Sequence, residues 1–563
     1  MGNMKHICRR GWLWLLCLWL GAAQAAASLE QITAGLRQRL QPVAEDSGHS
    51  RELTEVESFY AQRDYQPAWV TEAGFSPQAH ALLAALARAE DEGLRPEDYD
   101  LAKLESVLDK ARAGEFPVAQ WVEWELLLTR TFFAYGGHLS SGRFKPQDLN
   151  PNLGITPSHR DLTAILNSAL AEQEIAAAFA SLAPSHPGYL RLRTALANYR
   201  KLEQAGGWPV ISAAGKLAQG MRHAQLKRLR ARLAVTGDLE PVADTGGHSL
   251  APDEELFDDA VFQAVRRFQR RHGLPEDGVV GSATLLAMNV PVSERVRQLE
   301  INMERWRWLP EDLGRRHILI NITDYRLNVV EDGGTVLEAS VVVGKSSRPT
   351  PVYSGMISYL VFSPYWHVPR TIATKDKLPQ LRKNPAALAR QNIRVYDPRA
   401  GGREINPGRV NWRAINPNNF PYQLRQDPGP RNALGGIKFM FPNPYDVYLH
   451  DTPSTHLFNR VQRAFSSGCV RVSKPVELAE YLLKDNPRWS RKAIVSASRG
   501  KREQTVTLAD QVPVHLLYWT AWAEEDNTVH FRDDIYEYDK SIAKALHGDK
   551  VVSKKEPSLA EGG

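Results

Sequence analysis

Apolar residues recur at helical spacing through most of the chain up to about residue 205. Residues 79–89 and 123–135 place leucines, alanines and aromatics on single faces, with Gly93 and Gly136-Gly137 as expected stops. Phe59-Tyr60 and Trp69 are expected core anchors, and this region carries no catalytic constellation. A compact second pattern follows from about residue 217 to 290. Leu226, Leu229 and Leu233 share one helix face, and residues 257–272 turn Val261, Val265 and Phe268 inward before Gly273. Asp277-Gly278-Val279-Val280-Gly281 reads as a tight turn into a third helix, residues 282–288. A linking helix over 291–308 is expected to be capped by Ser293 and closed by Pro310, with its Glu304–Trp308 run assigned to core and surface.

From His317 the period drops to two. Ile318, Ile320 and Ile322 alternate, as do Val341 and Val343, with a turn at Asp332-Gly333-Gly334. Between 370 and 436 the alternation breaks amid prolines, asparagines and glycines. Long irregular segments inside compact domains are commonly functional, so this one is read as a cap over a site, with Trp412 and Tyr422 as candidate substrate contacts. Strands resume at 445–450, where Asp446, Tyr448 and His450 are expected on one face and Val447 and Leu449 on the other. A short helix is expected to follow Pro453 and Ser454, then a returning strand from Cys469. Residues 512–522 and 529–532 read as a hairpin, His515 and His530 as structural, and the end beyond 541 as a disordered tail.

The three cysteines are Cys8, Cys17 and Cys469. The first two sit in residues 1–27, which have the form of an export signal: Lys5, Arg9 and Arg10, an apolar run from Trp12 to Leu20, then Ala23-Gln24-Ala25. That run is too short to cross a bilayer, which takes ~20 residues. Removing the signal leaves 67 basic against 64 acidic residues, too balanced for nucleic acid, and no nucleic-acid motif is present. No metal-ligand spacing occurs, so neither a metal nor another cofactor is expected. The exported chain would keep one thiol, either inert or reactive. Its setting, Ser466-Ser467-Gly468-Cys469-Val470-Arg471, favours the reactive reading. Gly468 permits close backbone approach and flanking amides can meet an oxyanion. His450, nineteen positions upstream, is the candidate base, with His456 a weaker rival, and Arg471 can grip a substrate carboxylate.

These segments resemble the L,D-transpeptidase (YkuD-type) family, whose signature is a histidine followed at this distance by [S/T]-x-G-C-x-[N/R]. Gly344-Lys345-Ser346-Ser347-Arg348-Pro349-Thr350-Pro351 and Phe362-Ser363-Pro364-Tyr365-Trp366-His367-Val368-Pro369 resemble two further motifs of the same domain, in the same order. Ser467 and Arg471 match its large multidomain branch, where smaller members have His and Asn. Residues 217–290 resemble the peptidoglycan-binding module of wall hydrolases, which can bind glycan or act as a spacer. The expected architecture is therefore multidomain α+β. It runs as a signal (1–27), helical scaffold (28–210), three-helix peptidoglycan-binding module (211–290), linker helix (291–315), β-rich catalytic domain (316–500) with its capping insertion (370–436), C-terminal β-hairpin segment (501–540) and tail (541–563).

The resemblance implies a periplasmic enzyme acting on peptidoglycan stem peptides and glycan, with wall synthases or carboxypeptidases as candidate partners. Cys469 and His450 would be catalytic, Gly468 and Ser467 would serve the oxyanion through the backbone, and Arg471, Tyr448 and Trp412 would contact substrate. A cysteine thioester would form with release of terminal D-Ala, and an acceptor amine would convert it to a 3→3 crosslink. Carbapenems would acylate the same sulfur. Water or an envelope protein's lysine could instead resolve the thioester, and a dead site would leave a wall-binding scaffold. The partner of the second imidazole nitrogen is left open between Asp451 and a backbone carbonyl.

Overall fold

The computed structural model describes residues 28–41, 51–111, 116–212, 215–240 and 253–548. The export signal with Cys8 and Cys17, and the tail beyond 548, lie outside the described residues. The chain divides into two compact units, the first running to Ala87 with Pro96–Tyr135 and Leu162–Ala178. Residues 28–210, expected as a helical scaffold, are divided between the two units, with Phe179 onward in the second.

The first unit is helical and is organised on a buried carboxyl. Glu125 accepts from the main-chain N–H groups of Ala68 and Trp69 and from the Tyr60 hydroxyl, while Thr129 accepts from Trp69 Nε1 at 2.8 Å. Burial pushes the Glu125 carboxyl up to about 7. Tyr60 and Trp69 are fully buried, as the aromatic pattern requires. Gly136-Gly137 does not stop its helix. Val118–Ser141 runs through both, and the chain turns at Gly142 with φ 81°. Buried Tyr135 and Leu139 flank the two glycines. Packing of that face outweighs the cost of roughly 1 kcal/mol per helical glycine.

In the second unit the helix Pro187–Gln204 packs on Val292–Arg307. Pro291 rather than Ser293 is the N-cap of the latter, and no side chain caps it. Tertiary bonds hold it instead. Asn302 Nδ2 donates to Thr520 Oγ1 at 2.8 Å, and Arg305 pairs with Asp539 at 2.6 Å. Asp539 lies in a helix, Tyr538–His547, that buries Ile542, Ala543 and Leu546, so the expected disordered tail is ordered at its start by apolar burial.

The module's three helices are Leu226–Val235, Asp259–Arg271 and Ser282–Met288. Gln269 explains its turn motif. Its amide donates to Asp277 Oδ1 and Val279 O and accepts from Gly278 N–H at 2.8 Å. Gly278 has φ 68°, and a side chain there would strike Phe262.

The domain expected to be catalytic is a nine-stranded sheet closed on itself. Its strands are β1 (Arg316–Asn321), β2 (Arg326–Glu331), β3 (Gly334–Gly344), β4 (Tyr353–Phe362), β5 (Ile437–Met440), β6 (Leu449–His450), β7 (Ala464–Ser466), β8 (Val470–Val472) and β9 (Gln504–Leu517). Their order is β7-β3-β8-β6-β5-β4-β9-β1-β2, and β2 also pairs with β3, which closes the barrel. Residues 504–517, assigned from sequence to the C-terminal segment, form the barrel strand between β4 and β1. Only then comes the hairpin, Ala521–Ala523 against Val529–Phe531.

The segment read as irregular has its own sheet. Strands Trp366–His367, Gln423–Gln426, Ile393–Asp397 and Arg403–Ile405 pair in that order over a core of Trp366, Leu378, Leu381, Leu388, Val395 and Phe420. Its prolines open short helical turns between those strands, which masks the alternation in sequence.

Candidate active site

β6 and β8 are parallel neighbours, with Leu449 opposite Val470 and His450 opposite Arg471. The crossover between them is a short 3-10 turn, Thr455–Asn459, not the expected α-helix, and Ser454 makes no cap bond. The return places Cys469 beside Tyr448. The expected long strand over 445–450 reduces to Leu449–His450, because Asp446 has φ 54° and Asn443 ties the preceding turn. Asn443 Nδ2 donates to Phe441 O and Val447 O, and its Oδ1 accepts from Tyr445 and Val447 N–H. Asp446 therefore leaves the strand face. Its carbonyl instead receives the Cys469 thiol at 3.9 Å.

The turn that holds Cys469 is tied by hydrogen bonds from several elements. Gly468 has φ 116° and Cys469 is half-buried. Thr350 Oγ1 donates to Gly468 O at 2.7 Å and accepts from Gly344 N–H at 2.9 Å. Tyr536, from the segment after the barrel, donates to Gly344 O at 2.5 Å. Ser466 Oγ donates to Cys469 O at 2.6 Å and accepts from Gly468 N–H at 3.1 Å. The Gly468 amide is thus already committed, which removes it from the expected oxyanion donors. The Cys469 N–H has no acceptor among the described residues. Ser467 is exposed, and its hydroxyl accepts from Arg348 at 2.9 Å.

His450 is 5% exposed, and its Nδ1 lies 2.5 Å from Asp451 O. A carbonyl only accepts, so Nδ1 carries the proton in the neutral ring, and the Leu434 carbonyl also lies against the imidazole. The Asp451 carboxylate is occupied elsewhere, accepting from Gly436 N–H at 2.7 Å and Thr452 N–H at 2.6 Å. Burial, then the Arg471 charge, hold the imidazole down at about 3, so it is neutral at rest. Burial likewise pushes the Cys469 thiol up, against the Tyr448 main-chain amide and hydroxyl and the charges of Lys438 and Arg471. Thiol and imidazole both rest neutral, and no hydrogen bond joins them: the thiol is turned to Asp446 O and the Nδ1 proton to Asp451 O. His456 is exposed on the 3-10 turn.

Arg471 is half-buried, and its Nε has no partner. Trp412 is not at the site. It is 3% exposed inside the insertion core, its Nε1 donates to Pro407 O at 2.7 Å, and it packs against Phe420 and Tyr422. Tyr422 contributes to the same internal cluster. The insertion does reach the site through Tyr448, which packs on its core, and through Asp376, which pairs with Arg348. His515 bonds Ser354 and Leu313 O, and His530 stacks on Trp522. No group of side chains fit to hold a metal occurs among the described residues.

Sequence reasoning missed Lys438, Arg348, Thr350, Asp376 and Tyr536. Arg348 and Thr350 lie inside a turn motif whose purpose could have been guessed as a buttress. Lys438 sits on β5 directly opposite His450, a relation visible only once β5 and β6 pair. An open cleft of about 1200 Å³ runs from the three-helix module, at His272–Glu276, past β1 and β2 to Phe458–Arg463, the stretch leading toward the turn of Cys469.

Residues 315–507 match the model of the L,D-transpeptidase catalytic domain (YkuD), 222–288 the "Putative peptidoglycan binding domain", and 54–196 the "Scaffold domain". The chain thus carries an L,D-transpeptidase catalytic domain together with a peptidoglycan-binding domain. A curated protein of Haemophilus influenzae, named "Putative L,D-transpeptidase", is 39% identical over 274 residues, 48% of this chain and 54% of that protein. The chain therefore spans about half the length of that relative. Among solved structures, an L,D-transpeptidase from Mycobacterium smegmatis is 15% identical, covering 36% of this chain and 58% of that one, with a TM-score of 0.17. The L,D-transpeptidase of Xylanimonas cellulosilytica is 16% identical, covering 54% and 99%, also with a TM-score of 0.17.

Proposed function

We propose that the protein is a peptidoglycan L,D-transpeptidase that forms 3→3 diaminopimelate crosslinks through a thioester on Cys469. One observation carries the reading: His450 lies on β6 and Cys469 immediately precedes its parallel neighbour β8, with Tyr448 facing the sulfur, inside a matched catalytic domain. The sulfur attacks the carbonyl at the L-centre of diaminopimelate in a tetrapeptide stem, and its proton passes to His450 Nε2. The resulting oxyanion is met by the Cys469 N–H and the Tyr448 hydroxyl. One such donor is typically worth about 3–4 kcal/mol. The C–N bond then breaks, and the imidazolium returns the proton to the departing amine of D-Ala.

A second stem's side-chain amine next attacks the thioester, His450 takes its proton, and the thiolate leaves and is reprotonated. Base assistance of this kind contributes roughly 10²–10⁴-fold. Because thiol and imidazole both rest neutral, proton transfer accompanies attack instead of preceding it. A carbapenem's strained lactam carbonyl imitates the donor bond and would acylate the same sulfur. Peptidoglycan lies outside the cytoplasmic membrane, so the reading places the enzyme in the periplasm, with residues 1–27 as its export signal.

Incubation of the purified protein with disaccharide tetrapeptide tests the function. The expected product is a dimer linked between two diaminopimelate residues, with free D-Ala. Tripeptide alone would mean hydrolysis by water, attachment to an added lysine-bearing envelope protein would mean protein anchoring, and no turnover would mean a wall-binding scaffold.

A further inference from the structure

Three side chains stand in one row across three neighbouring strands. Lys438 on β5 is opposite His450 on β6, which is opposite Arg471 on β8. Residues in register across adjacent strands project to the same face, and strands lie about 4.8 Å apart. Lys438 Nζ is 4.0 Å from the centroid of the Tyr448 ring, directly beside the nucleophile. The side chain is half-buried and forms no hydrogen bond or ion pair with any described residue. Arg471 also lacks an anionic partner, and its Nε is buried and unsatisfied. Two cations that make no direct ion pair with a described residue thus flank the imidazole, the carboxylates of Glu503 and Asp446 acting on Lys438 only from a distance.

A half-buried cation with no carboxylate in direct contact is costly, and burial outweighs the distant Glu503 and Asp446 charges in pushing the Lys438 ammonium down; a methionine would cover the Tyr448 ring equally well. Holding a resting thiolate does not account for the pair, because burial still keeps the thiol above its ordinary value despite both charges. Their charge is left for a ligand. The donor stem has anions to offer: a carboxylate on the departing terminal residue and another at the D-centre of diaminopimelate. Both lie within a few bonds of the attacked carbonyl.

We infer that Lys438 is a specificity-determining residue that holds one free carboxylate of the donor stem peptide while Arg471 holds the other. This inference rests on the thioester reading above. It makes the enzyme selective for donors whose acidic groups are unblocked.

The test compares three tetrapeptide donors: the free acid, its C-terminal amide, and the amide at the D-centre of diaminopimelate. Release of the terminal residue is followed with wild type, Lys438→Met and Lys438→Arg, each checked for folding by circular dichroism. Wild type should prefer the free acid over at least one amide by tenfold or more in kcat/KM. In Lys438→Met that preference should fall to within twofold, with the change carried in KM, and Lys438→Arg should retain most of it. If the methionine variant misfolds, Lys438→Gln is read in the same way. Equal use of all three donors by wild type, or equal loss on all three in Lys438→Met, would overturn the inference. Release of D-Ala by Cys469→Ala would instead sink the thioester reading.

Discussion

Arg348 clamps Asp376 through two hydrogen bonds, Nη1 to Oδ2 at 2.5 Å and Nη2 to Oδ1 at 2.9 Å, while Nη1 also donates to Ser467 Oγ at 2.9 Å. One guanidinium thereby ties the inserted subdomain, which holds Asp376, to the turn that holds Cys469. The pair is partly solvent-exposed, so its contribution to stability is on the order of 1 kcal/mol or less. Its effect on the position of the turn is the larger consequence.

Asp376→Asn keeps the side-chain shape but removes the charge that orients Arg348. We expect acylation by a carbapenem to slow several-fold and the amides of residues 464–468 to exchange faster with deuterium, with the overall fold unchanged. An unchanged rate together with unchanged exchange would mean that the insertion does not support the turn.

Thr350 joins Gly344 N–H to Gly468 O through one hydroxyl. Thr350→Val preserves the side-chain outline while leaving a buried donor and acceptor unpaired, at a cost of about 1–3 kcal/mol. The expected outcome is a loss of roughly ten- to a hundredfold in acylation rate. Thr350→Ser should restore most of it, since the hydroxyl is retained. Equal rates for valine and serine variants would show that the hydroxyl is immaterial.

The protonation states define a pH dependence. The Cys469 thiol is raised chiefly by burial, so at a given pH less of it is thiolate than for a free cysteine. Alkylation by iodoacetamide, which needs the thiolate, should therefore keep rising beyond the ordinary thiol midpoint of ~8.5. Tyr448 and Lys438 both favour the thiolate, so Tyr448→Phe and Lys438→Met should each move the midpoint further up. A wild-type midpoint near 6 would contradict the neutral resting pair.

Much of the fold was legible in sequence, and the reasons differ by element. Leu226, Leu229 and Leu233, and the 282–288 helix after Asp277-Gly278, followed from periodicity and turn chemistry because each element is local. The insertion was not legible, because its strands have three to five residues, or two at Trp366–His367, and its prolines interrupt the alternation. Trp412 was misread for the same reason: an aromatic in an apparent loop was in fact the centre of a small core. The helix over 118–141 passed its two glycines because tertiary burial outweighs local preference.

At the site, the sequence motifs contain Cys469, His450 and Arg471, and strand pairing sets His450 on β6 opposite Arg471 on β8, which begins one residue after Cys469. Lys438 and Asp376 come from distant parts of the chain, and only strand pairing and the folded insertion bring them in. The commitment of the Gly468 amide to Ser466 was likewise invisible, since it depends on the path of a single turn.

The most direct measurement is the intact mass of the purified protein after exposure to meropenem, wild type beside Cys469→Ala and His450→Ala. The account predicts one covalent adduct on wild type, none on Cys469→Ala, and adduct formation slowed by two or more orders of magnitude on His450→Ala. An adduct on Cys469→Ala, or a His450→Ala variant that reacts as fast as wild type, would contradict it.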